Sequence, residues 1–144
     1  MNALLSALLR TDLRYFVRKV FSTVLPGTTY LPNWHIDAIV HQLMRIHSGE
    51  NRRLLICQPP RSLKSICVSI AYVAWLLGRD PTKRIIVVSY SNDFAGELHR
   101  QFRMVIDASW YQALFPACAR QRTAARNWSR QPEAAAMPHR LGVL

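Results

Sequence analysis

An α/β fold organised around a parallel sheet is what this sequence predicts, on three observations. Leu54-Leu55-Ile56 is a short apolar run suited to a buried strand, and a proline-containing turn follows it. From Lys64 to Leu77 the chain is apolar nearly all round, as a helix sandwiched in an α/β layer should be. Ile85-Ile86-Val87-Val88 is then a β-branched run of the kind that fills a central parallel strand. Strand, loop, helix and strand at this spacing make a βαβ unit with a right-handed crossover, the start of a doubly wound sheet.

Leu4 to Val24 reads as one amphipathic helix. Leu5, Leu9, Leu13, Phe16, Val17, Val20 and Phe21 recur at three- and four-residue steps, with Arg10, Arg14 and Arg18 opposite. Pro26-Gly27 ends it. A second helix begins after Asn33, a favourable N-cap, and carries Ile36, Ile39, Val40, Leu43 and Ile46 on one stripe. Ser48 to Asn51 is a loop, Arg53 to Cys57 the first strand, Gln58 to Ser62 a loop, and Gly78-Arg79-Asp80-Pro81 a stop and turn after the apolar helix. Arg84 to Tyr90 is the second strand, and a further helix starts near Asn92 with Phe94, Leu98, Phe102 and Val105 in register. After Pro116 the periodicity gives way to a stretch holding seven Ala and five Arg. The chain thus divides into an N-terminal helical segment (1–30), a central unit (31–116) and an irregular C-terminal tail (117–144).

Half of the 144 residues are hydrophobic and 19% are charged, which excludes a disordered chain and leaves room for one domain with a real core. The longest apolar run, Ile66 to Leu77, is 12 residues, short of the roughly 20 that cross a bilayer, so no membrane is expected as a partner. Arg10 and Asp12 interrupt the apolar N-terminal stretch and argue against a secretory signal. Cys57, Cys67 and Cys118 lack metal-ligand spacing and are expected as buried, reduced thiols of a cytoplasmic protein. His35, His41 and His47 stand six residues apart, out of line on a helix, and predict no metal site. Lys and Arg number 19 against 8 Asp and Glu, a net charge of +11. Such a surplus favours nucleic acid or nucleotide phosphates, or else is a solvated basic surface. Residues 1–116 hold 14 of the basic and 7 of the acidic side chains, and the tail holds 5 and 1.

Gln58-Pro59-Pro60-Arg61-Ser62-Leu63-Lys64-Ser65 lies between the expected strand and helix, where a Walker A phosphate loop belongs, and Lys64-Ser65 matches its final Lys-[Ser/Thr]. Free N–H groups and the helix dipole make such a junction an anion site. Lysine reaches terminal phosphates there, and a serine hydroxyl can ligate Mg²⁺. Gln58 and Leu63 stand where the consensus has glycine. An ordinary strand-to-helix turn is the competing reading. Lysine at a helix start opposes the dipole, which favours function.

Pro59-Pro60-Arg61-Ser62-Leu63-Lys64-Ser65 resembles the deviant Walker A of phage large terminase subunits, the ATPase motors that package DNA. Leu31-Pro32-Asn33-Trp34-His35-Ile36 is similar to the segment before that ATPase core, Ala74 to Gly78 and Ser89-Tyr90-Ser91 to its helix end and second strand, and Trp110-Tyr111 with Leu114-Phe115-Pro116 to a later segment. The resemblance covers roughly Asp12 to Pro116, in order. It implies a partial P-loop NTPase that takes ATP and Mg²⁺. Lys64 would bind the β- and γ-phosphates, Ser65 the metal, and Gln58, Pro59, Pro60, Ser62 and Leu63 would complete the loop. Arg61 would sit near the phosphates, offsetting transition-state charge, or else simply bind phosphate or form a salt bridge. Trp34 and His35 would flank the base, Trp34 being equally a candidate for the core. Double-stranded DNA is implied as a partner, with the small terminase subunit and the portal or procapsid as partners of a full-length parent in the cytoplasm of a bacterial host.

The same resemblance requires a Walker B strand ending in Asp and a catalytic Glu. No Asp follows Asp107, the only later acid is Glu133, and Asp93 sits at a helix head, so the motor core is expected to be half present, without its nuclease domain. Read in the neighbouring frame, the codons permitted by Asn127 to Val143 allow a Gly-rich segment similar to the one large terminases carry soon after this point. The tail is therefore expected to be an out-of-frame translation from a frameshift between about Ala117 and Thr123. Nucleotide codons that cannot spell that segment would overturn the idea. Two other readings stay open: an inactive truncated fragment that binds nucleotide or DNA, and a helicase-like or kinase-like P-loop module sharing Lys64-Ser65 alone.

Overall fold

The computed structural model describes residues 2–120. In chain order these form α1 (Ala3–Thr11), α2 (Leu13–Val24), α3 (Trp34–His47), a π-helical segment (Ile66–Tyr72), α4 (Val73–Arg79), α5 (Asn92–Asp107) and α6 (Ser109–Leu114). No strand or sheet occurs among the described residues, so the expected α/β architecture is corrected to an all-helical one. The reason lies in pairing. The β-branched run does lie outside every helix, and most of it is exposed: Ile85 and Ser89 are half-buried while Ile86, Val87, Val88 and Tyr90 are 82%, 47%, 85% and 91% exposed. Among the described residues, however, no backbone hydrogen bond reaches positions 84–90 or 52–59. A run of β-formers becomes a strand only when a neighbouring backbone takes its N–H and C=O groups, and these segments have no such neighbour.

The single N-terminal helix expected over Leu4 to Val24 is two. Asp12, at φ −113° and ψ 111°, ends α1, and its side chain accepts the Arg14 N–H at 2.8 Å to start α2. A short carboxylate placed to cap outcompetes continuation of the helix. α3 begins after Asn33 as expected, with Asn33 extended but making no side-chain cap bond. The helix expected from Lys64 to Leu77 runs unbroken from 64 to 79, its central seven residues π-helical. α5 starts at the expected Asn92, capped by Ser91 Oγ, which accepts the Phe94 N–H at 3.2 Å. Residues 116–120 are helical as well, so the irregular tail expected from 117 does not begin there, and Cys118 is buried. Residues 121–144, which carry the frameshift expectation, lie outside the described residues.

One hydrophobic core runs from Leu9 to Cys118, so the segments 1–30 and 31–116 bury their apolar faces together. At its centre the apolar π-helical segment packs against α2, α3 and α5. Phe16 of α2 meets Trp110, Tyr111 and Phe115 at ring-centroid distances of 5.7, 6.3 and 6.1 Å. Polar bonds fix the same junction. Tyr111 Oη donates to the Ala74 carbonyl at 2.8 Å, Trp110 Nε1 donates to Thr23 Oγ1 at 3.1 Å, and the Arg10 guanidinium donates twice to the Leu114 carbonyl, at 3.1 and 2.8 Å. Aromatic pairs at these spacings each add roughly 0.5–1.5 kcal/mol beyond the area they bury.

Candidate functional site

The loop from Gln58 to Ser65 joins the unpaired 53–57 segment to the long central helical stretch. Its backbone is unusual. Arg61 and Leu63 adopt φ of 62° and 60°, the left-handed region that favours glycine, and no other non-glycine residue among those described does so. Each such residue costs about 1–2 kcal/mol, and persists where the surroundings enforce it. Leu63 is held by packing against the core, and its carbonyl accepts the Cys67 N–H at 2.9 Å. That bond closes the first helical turn, so the N–H groups of Lys64, Ser65 and Ile66 have no preceding turn to bond.

Lys64 and Ser65 line a cavity of about 220 Å³ together with Leu54, Ile56, Val68 and Ser69. It is smaller than the roughly 300–1,000 Å³ of whole-ligand pockets, a size for phosphate groups rather than an entire nucleotide. Among the described residues no carboxylate lines it. Two loop side chains carry buried polar atoms without a hydrogen-bond partner among the described residues, Gln58 Oε1 and Ser62 Oγ. Native proteins satisfy the large majority of such atoms, and a bound ion, a water or a catalytic role accounts for exceptions. Pro59, Pro60 and Arg61 are exposed, and Arg61 has no ion-pair partner among the described residues, which leaves its expected salt bridge without an acid.

Three of the acids elsewhere are engaged locally. Asp80 binds Thr82, Glu97 binds Arg100 and Gln101, and Glu50 binds Arg45 and Ser48; these hydrogen bonds hold all three carboxyls below their ordinary range. Asp93 lies in the first turn of α5, as expected of a helix-head residue. Among the described residues no group of three or more His, Cys, Asp or Glu side chains converges. Magnesium would therefore find the Ser65 hydroxyl and phosphate oxygens, with water completing its shell, a coordination it commonly accepts.

Trp34 and His35 line neither this cavity nor the larger one described next. Trp34 is 79% exposed, which removes it from the core, and its ring stands edge-on to His35 at 6.3 Å. Of the three thiols, Cys67 and Cys118 are buried as expected but Cys57 is exposed. Burial pushes the Cys67 thiol up to about 11. Sequence reasoning missed a second cavity, of about 430 Å³, walled by Val73, Leu77, Ile85, Val87, Leu98 and Phe102. It was hidden because it forms where a sheet was expected. It also missed the left-handed residues, although leucine at a consensus glycine position was a usable signal. No helix among the described residues is long and apolar enough to cross a membrane. Compared with protein-family models, with curated proteins and with solved structures, the chain matches none.

Proposed function

We propose that the Gln58–Ser65 loop binds the phosphates of ATP with Mg²⁺, and that the chain is part of a DNA-packaging ATPase of the phage large-terminase kind. The observation that carries the first half is Leu63. It holds a left-handed backbone immediately before Lys64, at the position where the Walker A consensus has a glycine that would take it without strain. The unpartnered Gln58 and Ser62 atoms and the Lys64–Ser65 cavity support the same reading. The second half rests on the ordered resemblance from Asp12 to Pro116, and the surplus of 14 basic over 7 acidic side chains in residues 1–116 suits double-stranded DNA as the partner.

In this reading Lys64 neutralises the terminal phosphates, Ser65 offers its hydroxyl to the metal, and Arg61 stands free to contact the phosphates. Binding is expected without efficient turnover, because among the described residues no carboxylate lines the site to orient water or hold the metal. Hydrolysis would then belong to a longer parent that supplies those acids.

Titration of the 144-residue chain with a fluorescent ATP analogue and Mg²⁺ tests it. Saturable binding weakened about tenfold or more by Lys64→Ala supports the proposal, tenfold being about 1.4 kcal/mol. Affinity unchanged in that variant, or no saturation, refutes the phosphate site. Turnover abolished by Lys64→Ala would refute the claim that catalytic acids are missing.

A further inference from the structure

The larger cavity shares Ser69 with the Lys64 cavity, but the rest of its lining and its chemistry are different. Its walls are Val73 and Leu77 from α4, Ile85 and Val87 from the non-helical segment, and Leu98 and Phe102 from α5. At about 430 Å³ it falls within the range of small-molecule sites, which are mainly apolar with a few polar groups that fix orientation. The polar groups here are unevenly placed. Lys83 and Ser89 line the cavity from the two ends of the non-helical segment 83–89, and Ser69 and His99 line it elsewhere. Lys83 begins the segment that lines one wall, and Arg103 of α5 is the second cation in the lining.

Among the described residues no Asp or Glu lines the cavity. Arg103 also bridges to Asp107 at 3.4 Å, between two half-exposed side chains, so Lys83 is the cation with no ion pair within 4 Å among the described residues. At the other end of the segment Ser89 Oγ is buried without a hydrogen-bond partner among the described residues. A mainly apolar cavity with cations and no acid among its described lining residues fits an aliphatic chain ending in an anion. We propose that this cavity binds a single-chain aliphatic carboxylate, with the alkyl chain between α4, α5 and the 83–89 segment and the carboxylate at Lys83. The chain would gain from transfer out of water, roughly 0.8 kcal/mol for each buried methylene. An uncharged alkyl chain would gain the same burial but not the contact with Lys83. The proposal does not depend on the loop at Lys64, none of whose residues lines this cavity.

Calorimetric titration of the full chain with decanoate, and with decanol as the uncharged match, tests it below the concentrations at which either aggregates. Ala95, exposed on α5 and lining the cavity, allows a filling variant, Ala95→Trp, that leaves the core untouched. Lys83 is exposed, so Lys83→Glu changes the charge without disturbing packing. Circular dichroism establishes that both variants keep their helical content. Saturable decanoate binding, weakened about tenfold by Ala95→Trp and about tenfold by Lys83→Glu, while decanol is weakened by Ala95→Trp alone, supports the proposal; reversal of one charge contact at the surface is of that order. Absence of saturation overturns it, as does decanoate binding that neither variant alters. A cavity closed by a second copy of the chain, seen as a dimer that decanoate does not compete with, overturns it equally.

Discussion

Gly78 and Phe115 touch with no room for another atom: a Cβ built on Gly78 would lie 2.6 Å from both Cγ and Cε2 of the Phe115 ring. Gly78 is near the end of α4, and Phe115 follows α6, so this contact sets how closely the two ends approach. In most helices glycine to alanine stabilises by roughly 0.5–1 kcal/mol. Here Gly78→Ala is expected to destabilise by about 1–3 kcal/mol, because a buried ring must move. Urea unfolding followed by circular dichroism reads the sign directly, and a stabilised variant would contradict the contact.

Tyr111 ties α6 to α4 through a bond that its ring packing alone does not supply. Its buried hydroxyl donates to the Ala74 carbonyl, and Cys118 Sγ lies 3.7 Å from the same oxygen. Tyr111→Phe keeps the aromatic contacts and removes the bond. A loss of about 1 kcal/mol is expected from the same unfolding measurement. No loss would mean that the ring does all the holding.

At Arg61 the left-handed backbone separates strain from packing, since the side chain is exposed. Arg61→Gly is expected to raise stability by up to about 1 kcal/mol, and Arg61→Val to lower it by about as much, β-branched residues tolerating this region worst. If Arg61 also contacts phosphate, the stabilised glycine variant should bind the ATP analogue less tightly. Equal stabilities for the two variants would place Arg61 outside the left-handed region.

His47 packs edge-on against Trp75 at 5.1 Å, and its pKa is lowered from 6.5, first by burial and then by the positive charges of Arg79 and Lys83. The unfolded chain therefore binds a proton before the folded one does as pH falls. Stability should be fully present above pH 6.5 and decline below it, until the folded-state pKa is reached. His47→Gln should flatten that part of the profile. Urea midpoints at a series of pH values between about 7.5 and 5.5 test this, 6.5 being the ordinary histidine value. An identical slope in the variant would assign the decline to other groups.

Ile86, Val88 and Tyr90 project from a segment whose backbone has no hydrogen-bonded neighbour among the described residues. Unpaired extended chain with apolar side chains is a template for association. The full chain is expected to self-associate with rising concentration, and the double variant Ile86→Lys and Val88→Lys to shift sedimentation towards the monomer. A chain monomeric at millimolar concentration would contradict it.

The sequence by itself determined the helices. The stripes from Leu9 to Phe21 and from Ile36 to Leu43, the apolar stretch after Lys64, and the register of Leu98 and Val105 all became buried faces. Helical hydrogen bonds close within a few residues, so a local pattern contains nearly everything the element needs. The loop at Lys64 was legible for a related reason: its residue types and its place before a helix are local facts.

Pairing was decided only by tertiary structure. The runs Leu54 to Ile56 and Ile85 to Val88 have the composition of strands, yet a strand is a relation between two backbones, and neither run contains its partner. The left-handed turn at Leu63 also belongs to the assembled fold, because it persists through packing against the core rather than through any preference of leucine. The same holds for the cavity between α4 and α5. It opens where the non-helical segment leaves space beside the helices, a consequence of arrangement that no window of the sequence encodes.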